Sequence, residues 1–396
     1  MEDNRYQRGV DRERIRITSL KAMELEEGAG QSLVRVETDA GICGIGEAGA
    51  SGPVVRGHLR AMEPLLLGQN PLAIDRLYNT MISQMHTWRA HVPTVSGVDI
   101  ALWDLAGKIL GLPICEMLTG RYRDQVAIYH TPLYGPEDAL DKASVRAWAE
   151  ALLERAAGYT VFKCGGSGNG LPDHPSVSVH TPMSNMLTQR EIDLVRRAHE
   201  NIREALGFGV DIIYSEHGQF DLPTSIGLCQ ALESIKPLWM EDLLPIWCVG
   251  SWKRLKDASR VPVMLGEKTE TTREFGPFIT GGAVDAIHPD ICFSGGITGC
   301  RRIAQIADEY YVPVATHCVG SMVQQIATAH FGASVRNFVM SETRIDSRPL
   351  VKAMCQDDID VVGGQLRVPL GPGLGIALDE DYLRAHRMAG EPYWRD

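Results

Sequence analysis

The 396-residue sequence has no CxxC pair. Its nine cysteines, at 43, 115, 164, 229, 248, 292, 300, 318 and 355, are scattered. That spacing excludes a zinc ribbon or a dithiol redox motif. Most of the cysteines stand in apolar segments, as small core hydrophobes in a reducing compartment would. Nor is there an uncharged apolar run of about 18 residues, the length a membrane-spanning helix needs. The opening stretch, MEDNRYQRGVDRERIR, has no apolar segment of the kind a secretory signal requires, so the expected location is the cytoplasm. Positive charge is not in excess either. Thirty-nine Lys and Arg face 50 Asp and Glu, for a net charge of −11. Such a surface is a poor partner for nucleic acid or an anionic membrane. A small anion held locally by a metal or a lysine stays compatible with it.

What is present is an ordinary globular composition, 44% hydrophobic and 22% charged, long enough for two or three domains or for one α/β barrel plus a smaller domain. Residues 14–48 alternate like strands, with a hairpin corner at Asp39-Ala40-Gly41. Val98, Ala101, Leu105 and Ile109 then share one helical face, and Gly111 and Pro113 mark the stop. The first 125 residues therefore read as α+β.

After residue 126 short apolar runs alternate with helical stretches, and each run stops on an ionisable residue. GYTVFK ends on Lys163, GFGVD on Asp211, PLWME on Glu241, VPVMLGE on Glu267, AVDAIHPD on Asp290, VPVATH on His317 and NFVMSE on Glu342. From Asp211 onward the steps are 30, 26, 23, 27 and 25 residues, the length of one strand-plus-helix unit. Thr188 and Glu191 form a capping box at the start of one intervening helix, which Gly207 ends. Repeated units of this kind close into a parallel barrel whose active site lies at the C-terminal strand ends. One charged strand end is ordinarily just solvated, but six in a row at this spacing point to a shared site. The longer step from Lys163 to Asp211 holds a Gly-, Pro-, Ser- and His-rich excess at 165–185, either a lid or a surface insertion. The turn-rich segment after residue 370 is expected to leave the barrel and pack on the N-terminal domain.

Three carboxylates converging from successive strands, Asp211, Glu241 and Glu267, repel one another unless a cation sits among them. Oxygen-only donors suit Mg²⁺; the alternative is pairing with lysines such as Lys163 and Lys268. Asp290 beside His317 would fix the tautomer and raise the basicity of a general base. Lys163 is placed to hold a substrate carboxylate or to act as a base. Glu342 is placed to contact a carboxylate if protonated, or a hydroxyl.

Taken together, Lys163, Asp211, the MED of Glu241, the GE of Glu267, PDICFSGGIT, THCVGS and SETR resemble the mandelate racemase subgroup of the enolase superfamily. ETDAGICGIGEA, SGVDIALWDLAGKILGLPICEMLTG and PLGPGLGI are similar to its capping domain and tail. The resemblance implies a modified (β/α)7β barrel over residues 126–359. It implies an α+β capping domain from residues 1–125 with the tail 360–396. It also implies Mg²⁺ on the three carboxylates, abstraction of a proton α to a carboxylate, and a homo-oligomer. GEAGASGP, near residue 46, would reach over the site from the cap.

Departures narrow the reaction. Asp290 stands where muconate cycloisomerases and dipeptide epimerases carry a lysine. Lys163-Cys164-Gly165 lacks the second lysine of the racemases. Asp211-Ile212-Ile213 lacks the Asp-x-His of mannonate and galactonate dehydratases. One dyad, His317–Asp290, remains, and a single imidazole can take the α-proton and return it to a departing β-hydroxyl. The expectation is a Mg²⁺-dependent acid-sugar dehydratase, acting on a small anionic carboxylate and giving a 2-keto-3-deoxy acid. The alternatives are a hydroxy-acid racemase or epimerase with Lys163 as second base, and a non-catalytic binder of Mg²⁺ and acid sugar.

Overall fold

In the computed structural model of the chain, residues 11–395 are described apart from 27, 84–90, 119, 166–184, 219, 345–351, 358 and 360. Three strands, β1 (Ile17–Glu24), β2 (Ser32–Thr38) and β3 (Cys43–Ala48), form an antiparallel sheet in that order. The β2–β3 hairpin turns through Gly41, whose φ of 72° needs a residue without a Cβ. Helices α1 (Gly52–Leu66), α2 (Ile74–Ser83), α3 (Val92–Leu110) and α4 (Ile114–Leu118) follow. The α3 helix is buried on nearly every side, the mark of a helix enclosed by other layers rather than lying on a surface. Gly111 caps it in the left-handed conformation. One face lies directly on β3, where a Cβ at Gly44 or Gly46 would strike the carbonyls of Ala101 and Gly97.

The second unit runs β4 (Gln125–His130), α5 (Lys142–Arg155), β5 (Val161–Lys163), α6 (Gln189–Leu206), β6 (Asp211–Ser215), α7 (Leu222–Ala231), β7 (Trp239–Glu241), α8 (Val249–Ala258), β8 (Val263–Leu265), α9 (Thr271–Thr280), β9 (Ala286–Ile287), α10 (Gly296–Glu309), β10 (Val314–Thr316), α11 (Met322–Ser334) and β11 (Phe338–Thr343). The strands β4 to β11 are parallel neighbours in chain order, and β11 closes on β4 through Ser341 and Ile128. A helix lies between each strand and the next, so this is the (β/α)7β barrel expected. The capping box at α6 is present, with Thr188 and Glu191 each bonding the other's backbone. No helix among the described residues is long and apolar enough to cross a membrane.

Eight side chains, one per strand, meet on the barrel axis: Tyr129, Val161, Ile213, Trp239, Met264, Ala286 and Ala315, with Met340 packed against them. Inside a barrel such a layer is a packed core and not a pore.

The tail divides its contacts. In the hairpin β12 (Val361–Val362) and β13 (Gln365–Arg367), β13 pairs antiparallel with the N-terminal half of β4. Farther on, Glu26 N donates to His386 O (3.0 Å) and Met388 N to Glu24 O (2.9 Å), tying the end of the chain to β1.

Candidate active site

Side chains alternate along a strand, so the residue two beyond each core-layer residue faces the same axis, one step nearer the C-terminal rim. That rule places Thr131, Lys163, Ser215, Glu241, His288, His317 and Glu342 around one mouth. Glu267 joins them from the loop after β8. There Gly266 runs so close to His288 that a Cβ would meet its backbone at 2.7 Å.

Asp211 is not among them. It is the first residue of β6, not the last, and it is exposed. The rim residue of β6 is Ser215, four residues later, about 13 Å along the strand. Asp211 therefore cannot share a cation with Glu241 and Glu267, and the expected trio of carboxylates is a pair. The misplacement came from stopping the run GFGVD at its first acid. A strand ending at Ser215 stands 26 residues before Glu241, the same step as from Glu241 to Glu267. This register also puts Ser215-Glu216-His217 where Asp-x-His was sought. A histidine is present there, exposed at the mouth with φ 58°, and a serine stands in the acid's place.

His317 Nδ1 lies 2.6 Å from Asp290 Oδ2. Asp290 Oδ1 accepts from Cys292 N (2.6 Å) and from Gln324 Nε2 (2.8 Å), which fixes the carboxylate's plane. The other imidazole nitrogen, Nε2, faces the axis, 3.5 Å from Glu267 Oε2 and 3.8 Å from Glu342 Oε2. Burial works against an imidazolium here. Glu342, Glu267 and the bond to Asp290 outweigh it and hold the His317 pKa up at about 9.

Lys163 is buried and bridges two carboxylates, Glu241 Oε1 and Glu342 Oε1, each at 3.0 Å. Burial opposes its charge, but Glu241 and Glu342 raise its pKa above the ordinary lysine range. The two ion pairs hold it as a cation in this arrangement. Glu342 also accepts from Thr131 Oγ1 at 2.5 Å. Burial favours its neutral form, yet Lys163 and His317 hold it well below the usual carboxylate range. Charged in this way, Glu342 acts as an acceptor, as it does toward Thr131.

Glu241 Oε2, Glu267 Oε2, His288 Nδ1 and Ser215 Oγ are all buried without a hydrogen-bond partner. Orphaned polar atoms are costly, and four at one rim call for a common partner. Glu241, Glu267 and His288 offer atoms that lie within 4.8 Å of one another. These donors fit a divalent cation; they do not form the all-carboxylate set expected.

The cap reaches this rim through β3. Glu47 is buried and accepts from Ser321 N (2.9 Å), Ser321 Oγ (2.5 Å) and Gln324 N (3.0 Å) at the start of α11. Gly49 N donates to Cys292 O at 3.1 Å. The long segment after Lys163, the possible lid, lies outside the described residues save for its ends. Sequence reasoning missed Ser215, His217, His288, Gln324 and Glu47. For His288 the signal was its place in IHPD, two before Asp290 and so on the same face.

Two family models cover most of the chain: the mandelate racemase / muconate lactonizing enzyme N-terminal domain over residues 15–119 and the enolase C-terminal domain-like model over residues 144–382. A D-xylonate dehydratase of Haloferax volcanii is 31% identical over 383 residues, 95% of this chain and 90% of that protein. A D-galactonate dehydratase of Variovorax paradoxus is 29% identical over 92% of both. The crystal structure of a mandelate racemase/muconate lactonizing enzyme-like protein from Rubrobacter xylanophilus superimposes with a TM-score of 0.87 at 28% identity, over 96% of this chain and all of that one. From the alternating strand ends to the cap over them, the chain belongs to the mandelate racemase/muconate lactonizing enzyme family of the enolase superfamily.

Proposed function

We propose that this family member is an acid-sugar dehydratase, removing water from an aldonate-like acid to give its 2-keto-3-deoxy product. The observation that carries the reading is the His317–Asp290 pair, with Nε2 turned into a cage of carboxylates beside a fixed lysine cation. In this reading residues 1–125 and the end of the tail form the cover over the barrel of 126–359, while the tail's hairpin β12–β13 extends the barrel sheet at β4.

Glu241 and Glu267, with His288 and Ser215 beside them, would hold a divalent cation. The family resemblance implies Mg²⁺, and a bound cation supplies charge stabilisation to the substrate carboxylate as its α-carbon is deprotonated.

The chain's own residues account for the proton movements. His317 Nε2 takes the proton from C2, and Asp290 holds Nδ1–H and stabilises the imidazolium that forms. The C2–H electron pair becomes the C2=C3 double bond as the C3–O bond breaks. His317 gives its proton to the departing hydroxyl, and the resulting enol takes a proton at C3 to become the keto acid. One imidazole serves both transfers when the proton and the hydroxyl leave from the same face. Lys163 neutralises Glu241 and Glu342 and presents positive charge to the substrate's carboxylate end. Glu342 accepts from a hydroxyl, and His217, at the mouth, is placed to contact the sugar chain.

Lys163 does not support the racemase alternative, because an ion-paired ammonium cannot take the opposite-face proton. The test is a panel of acid sugars with divalent cation in D₂O, read for 2-keto acid and for deuterium at C2. Keto acid supports dehydration and names the substrate. Deuterium without keto acid replaces it with racemisation or epimerisation. Neither signal across the panel leaves the binding-only alternative.

A further inference from the structure

Resting on the proposed cation requirement, the inference concerns which ion this chain selects and what holds it. We infer that the ion is ligated by one imidazole and two carboxylates, His288, Glu241 and Glu267, with Asp242 positioning the imidazole, and that the site takes Mn²⁺ in preference to Mg²⁺.

Ser215 occupies the β6 rim position, so the third carboxylate that would make an all-oxygen anionic site is missing. A neutral hydroxyl replaces it and removes one negative charge. His288 stands at the β9 rim in its stead. It is completely buried, and its Nδ1 has no hydrogen-bond partner while lying 3.8 Å from Glu241 Oε2. Donors about 2.1 Å from a shared ion stand roughly 3.0–4.2 Å apart, so this spacing suits common ligation.

The opposite nitrogen is also accounted for. His288 Nε2 faces Asp242 Oδ1 at 3.4 Å, which is the carboxylate–imidazole–metal arrangement that fixes a ligating tautomer. Asp242 is held for this task. Its φ of 48° is uncommon for a residue with a side chain. It also lets consecutive acids diverge, Glu241 to the axis and Asp242 behind His288. Gly266 N donates to Asp242 Oδ1 at 3.3 Å, and Lys268 Nζ lies 3.6 Å from Oδ2. Mg²⁺ holds to oxygen donors and to its waters, whereas first-row transition ions accept an imidazole, and among them Mn²⁺ is the one that also suits a carboxylate-rich site.

The experiment uses full-length protein stripped of metal and titrated with Mn²⁺ or Mg²⁺ alone, followed by calorimetry and by pulsed electron paramagnetic resonance of the Mn²⁺ form. The expected result is a Mn²⁺ affinity at least about tenfold above that for Mg²⁺ and a ¹⁴N coupling from a directly bound imidazole. Asp242→Asn should weaken Mn²⁺ binding about tenfold or more. Ser215→Asp should move the preference toward Mg²⁺, and His288→Gln should abolish the ¹⁴N coupling. The wild-type spectrum needs no variant to fold. Equal affinities with no ¹⁴N coupling would overturn the inference and show His288 serving only as an ion-pair partner of Glu241 and Asp242. The two proposals fail separately. Proton exchange at C2 with Mg²⁺ and no ¹⁴N coupling sinks this one alone, while ¹⁴N-coupled Mn²⁺ without exchange on any acid sugar sinks the dehydratase alone.

Discussion

At the scale of single residues, His317 and Lys163 sit among the same carboxylates and do opposite things. His317 has one nitrogen committed to Asp290 and one facing the axis, so removing it removes the only acid–base group in the proposed path. His317→Asn should lower deuterium exchange at C2 by at least about 100-fold while leaving cation affinity nearly unchanged. Undiminished exchange in that variant would take His317 out of the mechanism. Lys163 is locked between two buried carboxylates, and its loss leaves both unpaired. Lys163→Met should destabilise the metal-free protein by about 3–5 kcal/mol, measured by urea denaturation in a chelator. Glu241, Glu267, Asp290, His317 and Glu342 were legible because each closes an apolar run. Asp211 was misread because residue type was used without register: β6 begins on an acid and ends on a serine. Ser215 carries no charge to draw attention, yet its parity with Ile213 places it at the rim.

At the scale of elements, the cap and the barrel meet where β3 touches the start of α11. Glu47 collects three donors there, and Gln324, in the first turn of that helix, passes the restraint to Asp290. This chain was invisible in the sequence because Glu47 lies 274 to 277 residues from the groups it binds and none of the members has a local signature. The elements with local signatures were read correctly: α3 stops at a left-handed glycine, and α6 starts at a reciprocal box of side-chain bonds. Glu47→Gln turns an amide N–H₂ toward donors and should cost about 1–3 kcal/mol, seen as a lowered melting temperature. The same variant should lower kcat more than KM, since it loosens Asp290 and not a substrate contact. An equal loss in both would place Glu47 in the binding of substrate.

At the scale of the whole molecule, α3 is held between the cap sheet and α10. Asp99, fully buried in that layer, accepts from Thr298 N at 2.9 Å through Oδ2, while Oδ1 has no partner. Burial pushes its pKa from the ordinary 3.8 to about 7. The folded protein therefore binds more proton than the unfolded chain between about pH 4 and 7, and stability falls as pH rises through that window. Below it both states are protonated, and above it both are ionised. Asp99→Asn should flatten this slope, and melting temperatures across pH 4–8 would show whether it does. A slope that survives the substitution would assign it to other groups.

The layer from Tyr129 to Met340 closes the barrel's axis beneath the site, which turns the traffic of the proposed reaction to a door on the rim side. Under the proposed function, substrate, cation, product and the water released in each turnover share it. Traffic through that door is then ordered in time. In the proposed reaction the cation enters before the sugar acid that would cover it, and the keto acid leaves before the next substrate arrives. Where departure is the slow event, steady-state turnover falls in proportion to solvent viscosity, while the isotope effect on the α-proton shrinks toward unity.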